Sequence, residues 1–319
     1  MSPADLADLR KQLPTFSDGA HPGAALLEFC RFYGIEFSAH FPEASYRAGL
    51  VDSGPFRIML HRWLQPAARA SLLLVHGYYD HCGLYGKLIA YGLSRGYNVL
   101  IFDLPGHGLS SGEPAVIDDF GDYAQALRDA LAAAGLADAQ PLYALGQSTG
   151  CAVLTECARQ QYWPFARTAY LAPLVRPARW RLVQLGYHML SPFTDSLARK
   201  FNRNSSDEDF LAFIRRDPLQ CQRVPLRWIA ALQRWLQRLP GGDLGAGPLL
   251  LVQGREDGTV DWRYNIPRLL RLFAGSEVFY LPAAGHQLAN EAADLRELYY
   301  AALDQWFARD QRLREQAGG

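Results

Sequence analysis

Short apolar runs alternate with longer amphipathic segments along most of this chain. Two runs of alternating apolar and polar residues, 45–51 and 56–64, flank Asp52-Ser53-Gly54-Pro55 and predict a β-hairpin. The later runs are continuously apolar, which is typical of strands that are buried on both faces of a sheet. These buried strands are predicted at 71–75, 98–102, 142–145, 168–171, 249–252 and 277–281.

Helical patterns separate the apolar runs. They predict helices over 24–32, 84–94, 119–135, 151–160, 264–273 and 290–308. Strands and helices that alternate at this spacing indicate an α/β fold with a doubly wound, mostly parallel sheet. We expect residues 45–173 and 249–309 to form this core, with an N-terminal helical extension at 1–44 and a polar tail at 310–319.

The alternation stops between residues 174 and 248. Helical patterns at 180–190, 208–215 and 225–239 predict a helical lid inserted after the sixth strand. This segment contains twelve basic and six acidic residues, a net charge of +6, so the rest of the chain carries −6. The segment also carries the aromatic residues Trp180, Phe193, Phe201, Phe210, Phe213, Trp228 and Trp235.

Composition narrows the class of protein. Of 319 residues, 49% are apolar and 20% are charged, which is ordinary for a globular protein. The 32 basic and 32 acidic residues cancel, so no overall field indicates a nucleic-acid partner. Five cysteines without C-x-x-C spacing predict reduced core thiols and no zinc site. The chain shows neither a signal-peptide pattern nor an 18-residue apolar run, so we expect a soluble, cytoplasmic protein.

The sequence Gly146-Gln147-Ser148-Thr149-Gly150 matches the G-x-S-x-G pattern of a nucleophile elbow. It follows the apolar run 142–145 and opens the helical pattern at 151–160, so it has the required strand, turn and helix. The turn strains the backbone of the serine, and the two glycines provide room for it. Ser148 is therefore the candidate nucleophile.

A serine hydroxyl is a weak nucleophile that needs a histidine base, which a carboxylate in turn orients. His286 follows the run at 277–281 and is the only histidine after His188, which makes it the candidate base. Such bases and acids lie where strands of an α/β sheet end, and in this kind of fold the chain order is serine, acid, histidine.

Three carboxylates after the run at 249–252 compete for the role of the acid, namely Glu256, Asp257 and Asp261. We favour Asp257 because it lies next to Gly258, where a tight turn can direct its side chain back to the imidazole. Asp261 is predicted to cap the helix that follows it.

An oxyanion hole requires two preorganised backbone amides, one of them from the residue after the nucleophile. That residue is Thr149. The second amide should come from the loop after the run at 71–75, where Tyr78 has the best position. We interpret His76 as a side chain that ties this loop down by hydrogen bonds, and His81 and His107 as structural.

With these residues identified, the chain resembles the α/β-hydrolase superfamily and, within it, the monoacylglycerol lipase/lysophospholipase-like branch of the serine aminopeptidase S33 type. The resemblance covers about residues 45–308 outside the lid. Its motifs are His76-Gly77 with Asp80-His81-Cys82-Gly83-Leu84-Tyr85, Asp103-Leu104-Pro105-Gly106-His107-Gly108-Leu109-Ser110, the elbow, Leu171-Ala172-Pro173, Gly254-Arg255-Glu256-Asp257 and Gly285-His286.

The resemblance implies a triad of Ser148, Asp257 and His286, an oxyanion hole of Tyr78 and Thr149, and no cofactor or metal. Three features depart from the branch. Gln147 stands where histidine is usual, Thr149 stands where methionine is usual, and Tyr78-Tyr79 replaces small residues in a way that should narrow the acyl pocket.

We therefore expect a serine hydrolase that cleaves carboxylic esters through an acyl-enzyme, with a monoacylglycerol or a lysophospholipid as substrate. A small-molecule carboxylesterase, a thioesterase, an acyltransferase, a proline iminopeptidase and a catalytically silent binding protein are the alternatives. A haloalkane dehalogenase is disfavoured because the nucleophile position holds Ser148 and not aspartate. The aromatic, basic lid suggests transient contact with a membrane surface; alternatively, its aromatic residues pack on the core and its arginines face water.

Overall fold

One mixed sheet of eight strands organises the part of the chain that this computed structural model describes, residues 1–19, 21–136 and 140–317, with side chains as far as residue 310. The strands are β1 (Ser45–Ser53), β2 (Phe56–Leu64), β3 (Ala70–Val75), β4 (Tyr97–Phe102), β5 (Leu142–Gln147), β6 (Arg167–Leu171), β7 (Ser196–Ala198), β8 (Arg223–Pro225), β9 (Leu249–Gly254) and β10 (Glu277–Leu281). Across the large sheet the order is β1-β2-β4-β3-β5-β6-β9-β10, and β7 pairs with β8 apart from it.

The strand directions confirm the predicted sheet. β2 is antiparallel to both of its neighbours, β1 and β4. The predicted hairpin is present, with its turn at Gly54 and Pro55, because Asp52 and Ser53 still pair with β2. The remaining pairs of the large sheet, from β4 through β10, are parallel. Parallel strands bring their carboxyl ends to one edge of the sheet, which is the edge where the loops with the candidate catalytic residues begin.

Helices cover both faces of the sheet. They are α1 (Pro3–Gln12), α2 (Ala24–Phe32), α3 (Gly86–Ser94), α4 (Phe120–Ala134), α5 (Thr149–Arg159), α6 (Trp180–Leu190), α7 (Glu208–Ile214), α8 (Leu226–Arg238), α9 (Trp262–Leu272) and α10 (Ala293–Ala317). One apolar layer contains residues of α1, α2, α3, α7 and α10, and the other contains residues of α4, α5, α8 and α9.

Alternation within each strand assigns its side chains to the two layers. Leu72 and Leu74 of β3 belong to the layer with α3 and α10, whereas Leu73 and Val75 belong to the layer with α4 and α5. All four side chains are fully buried. A strand between two apolar layers favours apolar side chains on both faces, which explains the run of apolar residues from Leu72 to Val75.

The two ends of the chain differ from the prediction. The segment 1–44 contains a second helix, α1, which was not predicted although Ser2 and Asp5 form a capping box at its start. Leu6 and Leu9 bury this helix against the core. At the other end, α10 continues to Ala317, so helical backbone runs through most of the segment that we took for a polar tail.

Residues 174–248, here called the connecting segment, join β6 to β9. They contain α6, α7 and α8 close to their predicted positions, together with the short antiparallel pair of β7 and β8, which was not predicted. Three-residue strands are too short to give a recognisable alternation in the sequence. The division of the chain into core and lid stays a prediction.

The connecting segment packs on both apolar layers of the core. Trp235 of α8 is fully buried, stacks on Phe120 with 5.0 Å between ring centroids, and donates from Nε1 to Glu156 Oε2 at 3.1 Å. Phe210 of α7 is buried in the opposite layer. Some aromatic residues of the connecting segment therefore anchor it to the core, whereas others, such as Phe193, are exposed.

A buried ion pair also holds the connecting segment. Asp217 Oδ2 accepts from His81 Nε2 at 2.8 Å, and Asp217 Oδ1 accepts from the Tyr33 hydroxyl at 2.7 Å. Although burial alone would raise it, the nearby imidazole holds the pKa of Asp217 at about 2. Burial opposes protonation of His81 in the same way, but Asp217 raises the pKa of His81 above its ordinary value.

Four of the five cysteines are buried and Cys221 is half-buried.

Among the described residues, no helix combines the length and the apolar character that crossing a membrane would need.

We expect Asp217→Asn to lower the free energy of unfolding by about 3–5 kcal/mol, because it leaves one partner of a buried charged pair. The pair contributes its full stabilisation of the folded state between about pH 4, the pKa of aspartate in the unfolded chain, and about pH 6.5, the pKa of histidine in the unfolded chain. The raised pKa of His81 means that this contribution is lost as pH rises beyond that window. Urea unfolding of both proteins from pH 5 to pH 9 measures the difference.

Asp209→Asn is the matched control, since Asp209 is exposed on α7. A loss of stability for Asp217→Asn that equals the control, or that stays constant over this pH range, would contradict the assignment.

Candidate active site

Ser148 lies at a sharp turn between β5 and α5. Its φ of 52° and ψ of −112° are a combination that residues with side chains rarely adopt, so the turn is strained as predicted. A Cβ atom at Gly150 would lie 2.0 Å from the carbonyl oxygen of Val75, and one at Gly146 would lie 2.9 Å from the amide nitrogen of Cys151. Only glycine fits at either position, because α5 begins almost in contact with the ends of β3 and β5.

His286 follows β10 and reaches the serine. Its Nε2 lies 2.9 Å from Ser148 Oγ, and its Nδ1 lies 2.8 Å from Asp257 Oδ2. Since a carboxylate only accepts, Nδ1 carries the proton and Nε2 is left to accept one from the serine. Burial alone would lower the pKa of His286, but the carboxylate of Asp257 holds that pKa above its ordinary value.

Asp257 is the carboxylate that the structure brings to His286. Its Oδ1 accepts from the amides of Thr259 at 2.8 Å and Val260 at 3.1 Å, which fixes the side chain in the turn after β9. Burial alone would raise the pKa of Asp257, yet the adjacent imidazole keeps that pKa below its ordinary value. Asp257 therefore stays ionised beside His286.

The two competing carboxylates lie elsewhere. Glu256 is exposed. Asp261 stands at the N-cap position of α9, but its side chain makes no capping hydrogen bond there and accepts instead from Arg176 Nη2 at 2.7 Å. The predicted cap was wrong in this respect, because the bond to a charged guanidinium takes the place of the weaker bond to a backbone amide.

The candidate oxyanion amides belong to Tyr78 and Thr149. A Cβ atom at Gly77 would lie 3.4 Å from Cβ of Ser148, so the loop after β3 lies directly against the serine. Within the described ranges, neither the Tyr78 amide nor the Thr149 amide donates to another part of the chain. Both residues line the same cavity as Ser148.

Three further histidines have structural contacts. His76 Nδ1 lies 2.8 Å from the Gly77 carbonyl oxygen, and its Nε2 accepts from the Leu104 amide at 2.9 Å, so the ring ties the loop down as predicted. His81 belongs to the ion pair with Asp217. His107 contacts the Pro105 carbonyl oxygen, and burial lowers its pKa to about 3.

Asp80, for which no role was predicted, joins the loop after β3 to the loop that carries His286. Its Oδ1 accepts from Gln287 Nε2 at 2.7 Å, and its Oδ2 accepts from the Tyr85 hydroxyl at 3.0 Å. That hydroxyl accepts in turn from the Gly77 amide at 2.9 Å. The position of Asp80 in the motif after His76 was the available signal.

Two more contacts hold the histidine loop. Gln147 donates from Nε2 to the His286 carbonyl oxygen at 2.9 Å, so the residue that departs from the usual elbow has a positioning role. The carbonyl oxygen of Asn204 accepts from the amides of His286 at 3.0 Å and Gln287 at 2.8 Å. Asn204 belongs to the connecting segment, so this segment takes part in placing the base.

A cavity of about 690 Å³ opens beside Ser148, His286 and the two candidate amides. This volume is in the usual range for small-molecule sites. The connecting segment supplies most of the wall, including the apolar side chains of Leu182, Val183, Leu211, Ile214, Val224 and Ile229. Tyr78 also lines the cavity, but its ring stacks on Trp228 with 4.0 Å between centroids, which directs it toward α8.

Comparison with known proteins identifies relatives. A family model described as serine aminopeptidase, S33 matches residues 66–293. Phospholipase YtpA of Bacillus subtilis is 26% identical over 209 residues, which cover 62% of this chain and 80% of that protein. Monoglyceride lipase of Mus musculus is 26% identical over 253 residues, which cover 69% of this chain and 80% of that protein.

Solved structures agree on the fold. Monoglyceride lipase of Saccharomyces cerevisiae superposes with a TM-score of 0.69 at 16% identity, over 83% of this chain and 97% of that one. Monoacylglycerol lipase of Paleococcus ferrophilus gives a TM-score of 0.66 at 19% identity, over 79% of this chain and 99% of that one. Mouse alpha/beta hydrolase domain-containing protein 10 gives 0.60 at 16% identity, over 82% and 98%.

These matches confirm the predicted α/β-hydrolase fold, the predicted enzyme class and the resemblance to the monoacylglycerol lipase-like branch. The matched span from 66 to 293 includes the elbow, the connecting segment and His286, and it exceeds half of the chain. The chain therefore belongs to the serine aminopeptidase S33 family of α/β-hydrolases.

Proposed function

We propose that this protein hydrolyses carboxylic esters through an acyl-enzyme, with Ser148 as nucleophile, His286 as general base and Asp257 as the residue that orients the base. The observation that carries this proposal is the unbroken line of contacts from Asp257 Oδ2 to His286 Nδ1 at 2.8 Å and from His286 Nε2 to Ser148 Oγ at 2.9 Å. All three residues are buried, and Ser148 and His286 line the cavity.

In the first step, Ser148 Oγ attacks the ester carbonyl carbon while its proton passes to His286 Nε2. The carbonyl oxygen becomes an oxyanion that accepts from the amides of Tyr78 and Thr149. When the tetrahedral intermediate collapses, the alcohol leaves with the proton from His286. Water then attacks the acyl-enzyme by the same route and releases the carboxylic acid.

The substrate is an ester of a lipid with a single acyl chain, a monoacylglycerol or a lysophospholipid. Ester hydrolysis of the lipase type is the activity of the family branch, and the relatives are named monoglyceride lipase and phospholipase. The largely aliphatic wall of the cavity supports an acyl chain as its occupant.

The connecting segment acts as the lid, and α6 rests on a lipid surface. Leu182, Leu185 and Met189 of α6 are 63%, 56% and 62% exposed, and Phe193 just after the helix is 85% exposed. Spacings of three and four residues place Leu182, Leu185 and Met189 on one face of α6. Leu182 also lines the cavity, so the exposed apolar face adjoins the route to Ser148.

We expect Ser148→Ala to lower kcat for a short-chain aryl ester by about 10⁴-fold or more, because no other group replaces the nucleophile. A fluorophosphonate probe should label the wild type and leave the variant unlabelled. Ser94→Ala is the matched control, since Ser94 ends α3 and does not line the cavity. Activity of Ser148→Ala within tenfold of the wild type would refute the assignment.

We expect kcat/KM to rise along a series of glycerol monoesters from acetyl to at least octanoyl, because each buried methylene contributes about 0.8 kcal/mol. Measurement below the concentration at which each ester aggregates separates the cavity from surface effects. A flat series, or one that favours the acetyl ester, would reject the lipid substrate and leave a small-molecule carboxylesterase.

We expect the triple variant Leu185→Ser, Met189→Ser and Phe193→Ser to bind neutral phospholipid vesicles at least about tenfold more weakly, because it removes the apolar surface that would be buried there. Its hydrolysis of a soluble aryl ester should match the wild type. Vesicle co-sedimentation measures binding. Leu298→Ser on α10, where Leu298 is 54% exposed, is the control, and equal losses for both proteins would contradict the role of α6.

A further inference from the structure

Arg199 lies in the wall of the cavity that contains Ser148, held between two aromatic rings. Its guanidinium carbon is 3.9 Å from the centre of the Tyr79 ring and 4.4 Å from the centre of the Phe201 ring. Tyr79 follows the candidate oxyanion residue Tyr78 in the loop after β3. The side chain is thus fixed at its charged end, beside the loop that faces the reacting group.

The hydrogen bonds of Arg199 use one side of the guanidinium. Nη1 donates to Gln220 Oε1 at 2.8 Å and to the Cys221 carbonyl oxygen at 3.1 Å. Among the described residues, Nε and Nη2 have no acceptor. These two nitrogens form the edge of a guanidinium that binds two oxygens of one carboxylate or phosphate at once.

Basic side chains outnumber acidic ones in the described lining of the cavity. Arg179, Lys200 and Arg215 line it together with Arg199, and within the described ranges none of the four forms an ion pair. Asp80 is the one acidic residue in the described lining, and both of its carboxylate oxygens are occupied by Gln287 and Tyr85.

The basic residues of α8 behave differently. Arg227 pairs with Glu113 and Asp118, and Arg238 pairs with Asp119, all on the outside of the core. Arg227 and Arg238 are therefore paired with carboxylates of the core, whereas the four basic residues of the cavity lining have no carboxylate partner among the described residues. An arginine that is partly buried without an anionic partner loses hydration, and no opposite charge offsets this loss. Burial accordingly lowers the pKa of Arg199.

We propose that the Nε–Nη2 edge of Arg199 binds a phosphate on the alcohol part of the substrate, so that the enzyme prefers monoacyl glycerophosphates to neutral monoacylglycerols. This inference rests on the proposed ester hydrolysis at Ser148. The fork of Arg199 fits a carboxylate as well as a phosphate, and the surrounding unpaired cations favour the more highly charged phosphate.

The test compares two soluble esters with the same acyl chain, 1-octanoylglycerol and 1-octanoylglycerol 3-phosphate, below the concentrations at which they aggregate. We expect the wild type to hydrolyse the phosphate ester with the higher kcat/KM. In Arg199→Gln the ratio of the two kcat/KM values should fall about 10- to 100-fold, since bonds to a charged group are lost for one substrate only. Arg199→Lys, which keeps the charge without the fork, should give an intermediate ratio.

Arg216→Gln is the matched control, because Arg216 is exposed in the same segment and does not line the cavity. Its ratio should stay within twofold of the wild type. An equal fall in this control, or an unchanged ratio in Arg199→Gln, would overturn the proposal. A third ester, with a carboxylate in place of the phosphate, tests the choice of anion: equal or higher kcat/KM for it would overturn the preference for phosphate.

A second measurement does not depend on the folding of a variant. Glycerol 3-phosphate should inhibit hydrolysis of p-nitrophenyl octanoate by the wild type at a concentration at least about tenfold lower than glycerol does, and added salt should weaken this inhibition. Equal inhibition by the two compounds would overturn the proposal. Ser148-dependent cleavage of both octanoyl esters at equal rates would remove this inference alone, whereas cleavage of neither ester would refute the proposed function as well.

Discussion

The contact between the start of α5 and the end of β3 determines the geometry of the site. A Cβ atom at Gly150 would overlap the carbonyl oxygen of Val75, so the helix and the strand meet with only a hydrogen atom between them. This approach forces Ser148 into its left-handed backbone conformation. It also places the loop after β3 against the serine, so the nucleophile and the candidate amides of Tyr78 and Thr149 come together as a consequence of one close packing.

The base depends on contacts that are spread over the whole chain. His286 belongs to the loop after β10. Gln147 of the elbow donates a hydrogen bond to the backbone of this loop, and Asp80 of the loop after β3 accepts one from Gln287 beside His286. The carbonyl oxygen of Asn204 adds a third support from the connecting segment. A movement of the whole segment would remove that support.

The sequence contained clear local signals for part of this arrangement. The glycines around Ser148 indicate a strained turn, and continuous apolar runs indicate strands that lie between two apolar layers. Both signals are readable because the turn and the burial of a strand each depend on a few consecutive residues. The partner of Asp261, the role of Asp80 and the anchoring of Asp217 by His81 depend on residues far apart in the chain, so no periodicity could reveal them. The helix α1 is an exception, since the capping box of Ser2 and Asp5 was readable and was overlooked.

Net charge alone could not distinguish an anion-binding segment from one whose arginines face water. The contacts make the distinction, because Arg227 and Arg238 complete ion pairs with the core while Arg199 lines the cavity with Nε and Nη2 free of acceptors among the described residues. Cations at the outer surface are screened by water and by their partners, and they contribute little to recognition. A guanidinium fixed between Tyr79 and Phe201 has already lost its conformational freedom, so binding an anion there costs little further entropy. Specificity in this family member would then be decided by the connecting segment, and the chemistry of ester cleavage by the core.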